Sequence, residues 1–261
     1  MISSFPGKAD RVRALFVKQD HNSPGGHVGD AFAELGYDIT ELTVVPRERY
    51  HSPDVTVSFP DPARYDAIVA FGAVWAVYDD AAIGTWIHEE IAFTRAAMAA
   101  GVPVLGICFG GQMLAAAVGG RVERAPAHEI GWTSIRTQSP GLVPSGPWFE
   151  WHFDRFELPA GVPALATTPL ANQAFTVGRS LGLQFHPEVT ESVLAAWLAA
   201  DGTQELASHG IDAELLLAQT RDREAGAGLL TRQLVRGFVR EVATRPVAVP
   251  GPASAAIASS L

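Results

Sequence analysis

Residues 102–120 read VPVLGICFGGQMLAAAVGG: a short apolar run, a glycine-framed cysteine, then residues at helical spacing. The apolar run 102–107 has the length of a buried strand, and 112–118 predicts a helix. Between them stands Cys108, with Gly106 two residues before it and Gly110 and Gly111 just after. A strand that turns sharply into a helix exposes the residue at the bend, as in nucleophile elbows built on G-x-S-x-G. Glycine at minus two and plus two removes the Cβ atoms that would collide in so tight a turn. The thiol then sits at a helix N-terminus, where an anion is favoured. A lone cysteine is ordinarily a small buried hydrophobe. The glycine frame and the strand–helix junction argue here for a nucleophile.

The same rhythm runs outward from this stretch. Apolar runs at 11–17, 37–45 and 67–71 predict strands, and residues 28–35 and 85–100 predict helices closed by Gly36 and Gly101. Strand and helix alternating at these intervals predict an α/β fold, a flavodoxin-like open and mostly parallel sheet flanked by helices. Runs without polar alternation fit strands covered on both faces. The stretch 46–64 is polar, contains proline and predicts an irregular loop. After Gly120 short β-type pieces at 132–136, 164–168, 173–177 and 181–185 predict antiparallel additions to the same sheet. Helices are predicted at 193–200, 211–220 and 225–244. One domain over 1–244 is expected, with a Pro- and Ala-rich mobile tail at 245–261.

Composition narrows the classes. The 261 residues are 48% hydrophobic and 18% charged, enough for a sizeable core, and the net charge is −9. No basic run suggests a nucleic-acid or anionic-membrane surface, and no uncharged apolar stretch of about 18 residues suggests a membrane span. No secretory leader is read in residues 1–20, so a cytoplasmic location is expected. A single cysteine excludes an internal disulfide and a four-cysteine zinc site. His128-Glu129, His152-x-Asp154 and His186-x-Glu188 lack metal-ligand spacing, so no metal and no cofactor are expected.

A cysteine nucleophile needs a base, and the base needs an orienting group. His186 ends the apolar run 181–185, and Glu188 follows two residues on. In extended backbone both side chains project to one side, and Pro187 between them favours that geometry. Parallel sheets place their sites at the C-terminal ends of strands, where both Cys108 and His186 lie.

The motifs G-I-C-F-G-G-Q at 106–112 and F-H-P-E at 185–188 together resemble the class I (triad) glutamine amidotransferase family, in particular stand-alone proteins similar to the glutaminase domain of GMP synthase. The segments 65–69, 77–79, 129–132, 151–152 and 172–175 agree with that resemblance, which covers roughly residues 11–200. It implies hydrolysis of the γ-amide of glutamine through a glutamyl thioester. Cys108 is then the nucleophile, His186 the base and later the acid, and Glu188 the orienting group. Phe109 and the loop at Gly72 and Ala73 are implied as oxyanion donors, and Gln112 as a substrate contact.

That loop departs from the family pattern. Gly-Gly-Pro is usual, whereas this chain reads Gly72-Ala73-Val74-Trp75. A positive φ at Ala73 would cost about 1–2 kcal/mol, and Gly111 replaces a commonly larger residue. Three readings stay open at this point. One is a glutaminase that supplies ammonia to a synthase on another chain. A second is a free-standing γ-glutamyl hydrolase or peptidase acting on another γ-glutamyl compound. The third is a catalytically silent regulatory subunit.

Overall fold

The computed structural model describes residues 12–246; the predicted mobile tail from residue 247 onward, and residues 1–11, lie outside the described part. Its strands are β1 (Arg13–Lys18), β2 (Asp38–Thr43), β3 (Ala67–Ala70), β4 (Val104–Ile107), β5 (Arg121–Thr133), β6 (Arg136–Thr137), β7 (Trp148–Glu157), β8 (Ala164–Thr167), β9 (Asn172–Val177) and β10 (Ser180–Leu183). Its α-helices are α1 (Gly26–Glu34), α2 (Asp80–Ala99), α3 (Phe109–Ala117), α4 (Glu191–Trp197), α5 (Thr203–Ser208) and α6 (Ala213–Gly237).

Eight strands form one sheet in the order β2-β1-β3-β4-β10-β9-β8-β6. β1 to β4 and the β4–β10 pair are parallel, and β9, β8 and β6 add antiparallel. The central strands β3, β4 and β10 are buried at every residue, as expected of strands covered on both faces. α1 and α6 cover one face through Phe32, Leu234 and Phe238 against Phe16 and Phe71. α2 and α3 cover the other through Trp86, Phe93, Phe109 and Met113. The predicted flavodoxin-like arrangement of a parallel sheet between helices is what these residues form.

Three expectations need correction. The piece 132–136 is divided: its first two residues end β5, which pairs with β7 in a separate antiparallel ribbon, while Arg136 opens β6 at the edge of the main sheet. Residues 213–237 form one continuous helix, not two, because the charged stretch 221–224 lies on its solvent face and Gly228 abuts His27. The helix predicted from residue 85 begins at Asp80, where Asp79 accepts the backbone N–H of Ala82 and caps it.

Candidate active site

The elbow is strained in the way its glycines require. Cys108 has φ 50° and ψ −106°, and among the described residues it is the one non-glycine with positive φ. A Cβ on Gly106 would stand 2.4 Å from the Gly110 carbonyl oxygen. A Cβ on Gly110 would reach 2.2 Å from the Ala70 carbonyl oxygen, and one on Gly111 would reach 2.1 Å from that of Leu183. All three glycines therefore let the start of α3 sit directly on β3 and β10. Gly111, where a larger residue is common, is a packing contact with β10. Cys108 N–H donates to the Leu183 carbonyl at 2.9 Å and Gly110 N–H to that of Phe71 at 3.2 Å, which fix the bend.

β10 brings His186 and Glu188 to the same end of the sheet. His186 is tied to β7 through its N–H, which donates to the Phe149 carbonyl at 2.8 Å. Its Nδ1 lies 2.8 Å from Glu188 Oε1, so Nδ1–H donates to the carboxylate and Nε2 is left without a partner. A Cβ on Gly72 would lie 3.0 Å from His186 Cε1 and 3.7 Å from Cys108 Cβ, so both side chains meet over one glycine. Cys108, His186 and Glu188 are 5%, 6% and 2% exposed. Burial alone would depress the His186 imidazole, yet the Cys108 and Glu188 charges beside it hold its pKa well above the ordinary histidine value.

The turn carrying His186 and Glu188 is anchored from behind. His27 N–H donates to the Glu188 carbonyl at 3.1 Å, and Gly26, at φ 47°, is the residue that lets α1 start there: a Cβ would stand 1.9 Å from that oxygen. Thr231 of α6 donates its hydroxyl to the Pro187 carbonyl at 2.7 Å.

Ala73 is not in the positive-φ region, so the strain foreseen for it is absent. The N–H groups of Phe109, Gly72 and Ala73 donate to no acceptor among the described residues, which leaves them free for an oxyanion. Gln112 is not a surface residue of its helix. It is buried, donating through Nε2 to the Asp154 carbonyl at 3.1 Å and to Gln184 Oε1 at 3.3 Å. Gln184 donates in turn toward Cys108 Sγ at 3.7 Å. Sequence reasoning passed over Gln184, although it stands two residues before His186 on the strand end that carries the site.

Behind the thiol lies a second buried group. His152 Nδ1–H donates to the Asp154 carbonyl at 2.9 Å, and Nε2 stands 3.2 Å from Glu129 Oε2 and 3.3 Å from Glu150 Oε2. These last two contacts are ion pairs too bent for regular hydrogen bonds. Glu129 also accepts from Thr168 Oγ1 and Gln173 Nε2, each at 3.0 Å. Burial lowers the His152 pKa, but Glu129 and Glu150 outweigh it and push it up to about 10. Burial raises that of Glu150 to about 6, against the pull of His152. His152 and Asp154 both line the cleft. Arg179 and Arg136 do not line the cleft: Arg179 Nε donates to the Ala243 carbonyl, and Arg136 lies in the edge strand β6.

Cys108, His186, Glu188, Gly72, Ala73, Phe109 and Gln112 all line one cleft of about 710 Å³. Among the described residues no helix is long and apolar enough to cross a membrane.

Comparison with known proteins gives the family and the fold. The family model described as glutamine amidotransferase class-I matches residues 30–202. The GMP synthase (glutamine-hydrolyzing) of Alcanivorax borkumensis is 36% identical over 129 residues, which are 43% of this chain and 24% of that one. That of an Azoarcus strain is 28% identical over 207 residues, 69% of this chain and 38% of that one. The chain thus spans well under half the length of these curated relatives. Among solved structures, a glutamine amidotransferase from Thermotoga maritima superposes with a TM-score of 0.76 at 27% identity, covering 89% of this chain and all of that one. A glutamine amidotransferase from Methylobacillus flagellatus gives 0.74 at 22% identity over 94% and 99%, a likeness of fold.

Proposed function

The chain belongs to the glutamine amidotransferase class-I family, and from that premise we propose that it hydrolyses a γ-glutamyl amide through a thioester on Cys108. Glutamine is the simplest substrate of that kind. The thiol proton passes to His186 Nε2, giving a thiolate–imidazolium pair; Sγ then attacks the γ-carbonyl carbon, and the oxyanion is received by the free N–H groups of Phe109 and the Gly72-Ala73 loop. The C–N bond then breaks while His186 returns the proton to the leaving nitrogen, giving ammonia from glutamine. Water, deprotonated by the same nitrogen, cleaves the thioester to glutamate and restores the thiol. Glu188 holds Nδ1–H throughout, keeping Nε2 as the nitrogen that exchanges protons.

The observation that carries the reading is the unpartnered Nε2 of a buried His186, paired at 2.8 Å to Glu188 and meeting Cys108 over Gly72. The curated relatives are glutamine-hydrolysing GMP synthases, which supports transfer of the ammonia to an acceptor enzyme carried outside these 261 residues. A second reading, a free-standing hydrolase of a larger γ-glutamyl amide, is favoured by the volume of the cleft, far more than ammonia needs as a leaving group.

The test is intact-protein mass spectrometry after exposure to 6-diazo-5-oxo-norleucine, beside glutamine turnover and the Cys108→Ala variant. One adduct, lost in Cys108→Ala, with ammonia released from glutamine is expected. Adduct without glutamine turnover moves the substrate to a larger amide, and no adduct removes Cys108 as nucleophile and favours the regulatory-subunit reading.

A further inference from the structure

The cleft extends beyond the thiol on a definite side. A general acid must stand on the leaving-group side of the scissile bond, since it protonates the departing nitrogen. The ring of His186 packs edge-on against Trp197 at 5.1 Å between centroids, and Trp197 packs on Trp151 at 6.0 Å. Trp151 donates its indole N–H to Glu205 Oε2 at 3.0 Å, and Trp197 donates its own to the Asn22 carbonyl. Both indole N–H groups are therefore committed, and the rings form a wall leading from His186 to Glu205. Asp201 lines the cleft on the same segment, between α4 and α5.

Tyr50 lines the same cleft, 5.9 Å from Trp75 between centroids. Burial raises the Tyr50 hydroxyl to about 12, and the charges of Asp20, Asp201 and Glu205 add to it; all three carboxylates line the same cleft as Tyr50. Asp20 is 2% exposed and lines the cleft; its Oδ1 takes the internal hydrogen bonds from Asn22 N–H and Ser23 Oγ, and its Oδ2 takes none among the described residues. Among the described residues no lysine and a single arginine line the cleft. That arginine, Arg124, is engaged with Asp154 at 3.6 Å and lies 4.7 Å over the ring of Phe153.

Aromatic walls with carboxylates at the end and no free counter-cation are the recognition chemistry of an ammonium group. We propose that the amine half of the substrate is cationic: the γ-glutamyl amide of a diamine or polyamine, its distal ammonium held between Tyr50, Asp201 and Glu205 while the γ-amide lies against Cys108. This rests on the thioester reading. Hydrolysis consumes one water, breaks the γ-C–N bond and releases glutamate and the protonated amine, with no other reactant.

The test compares three amides sharing the glutamyl half, so that its contacts cancel in every ratio. They are γ-glutamyl-4-aminobutylamide, the uncharged γ-glutamyl-pentylamide, and the anionic amide of 4-aminobutyrate. The expected kcat/KM order is cationic, then neutral, then anionic, with roughly tenfold or more between the first two, narrowing as salt is raised. In the Asp201→Asn/Glu205→Gln double variant the cationic advantage, read as the ratio of kcat/KM for the cationic and neutral amides, is expected to shrink to within about threefold. Glu205→Gln keeps an acceptor for the Trp151 indole. Equal rates for the cationic and neutral amides, or a preference that survives the double variant, overturns the proposal.

Calorimetric binding of the same amides to Cys108→Ala separates this from the chemistry. If the wild type turns over nothing and forms no covalent adduct, yet Cys108→Ala binds the cationic amide roughly tenfold tighter than the neutral one, the thioester reading falls and the cation site stands. No preference in either assay overturns the cation site.

Discussion

Two histidine–carboxylate groups lie behind one thiol, and they differ in how completely they are satisfied. In the first, His186 spends Nδ1 on Glu188 and leaves Nε2 bare. In the second, His152 spends Nδ1 on a backbone carbonyl and sets Nε2 between Glu129 and Glu150. Both are buried, and both have raised pKa values. A bare nitrogen can accept and return a proton, whereas one held between two carboxylates is a fixed cation that neutralises them. The lesson is that burial and a raised pKa do not identify the base; a ring nitrogen with no carboxylate at ion-pair distance does.

Variants can break this contrast. His186→Ala is expected to lower γ-glutamyl hydrolysis by roughly 10³-fold or more with little change in the unfolding midpoint, measured by steady-state rates beside urea denaturation. His152→Gln should act through the fold. It strands Glu129 and Glu150, so a loss of about 3–5 kcal/mol is expected, and adding Glu150→Gln should restore part of it. A His152→Gln protein as stable as wild type would end the fixed-cation assignment.

Glu90 supplies the control without a histidine. It is buried with only the Gln19 amide, at 2.8 Å, for a partner, and burial raises its pKa to about 7. A carboxyl whose folded pKa is raised stabilises fully below its unfolded value, and that stability is lost as pH rises toward the folded value. Glu90→Gln should therefore gain up to about 3 kcal/mol at pH 8 and almost nothing at pH 4, read from urea curves at the two pH values. The smallest effect sharpens the elbow: Cys108→Gly should abolish turnover while gaining about 1–2 kcal/mol, because glycine relieves the positive φ.

The parts of the molecule that could be read in advance are those where one physical demand dominates. β3, β4 and β10 are covered on both faces, so their runs are plainly apolar. The elbow needs small residues at three contacts, and glycines mark them. The β5–β7 ribbon was illegible because its strand WFEWHFDRFE places Glu150 and His152 in the interior, which sequence reasoning assigns outward. A break in register between Arg124 and Glu129 disrupts the alternation of β5 as well. Asp201 and Glu205 read as ordinary solvated charges because both are exposed, and only the tertiary fold brings their segment to the rim of the cleft.

The anchoring of the His186–Glu188 turn has a consequence for anyone watching this protein without substrate. The amide hydrogen of His27 rests on the carbonyl of Glu188 itself, so its exchange with deuterated solvent times the opening of that turn. An enzyme whose reactive turn loosens before its sheet would lose protection at His27 while the amides of β3 and β4 stay locked.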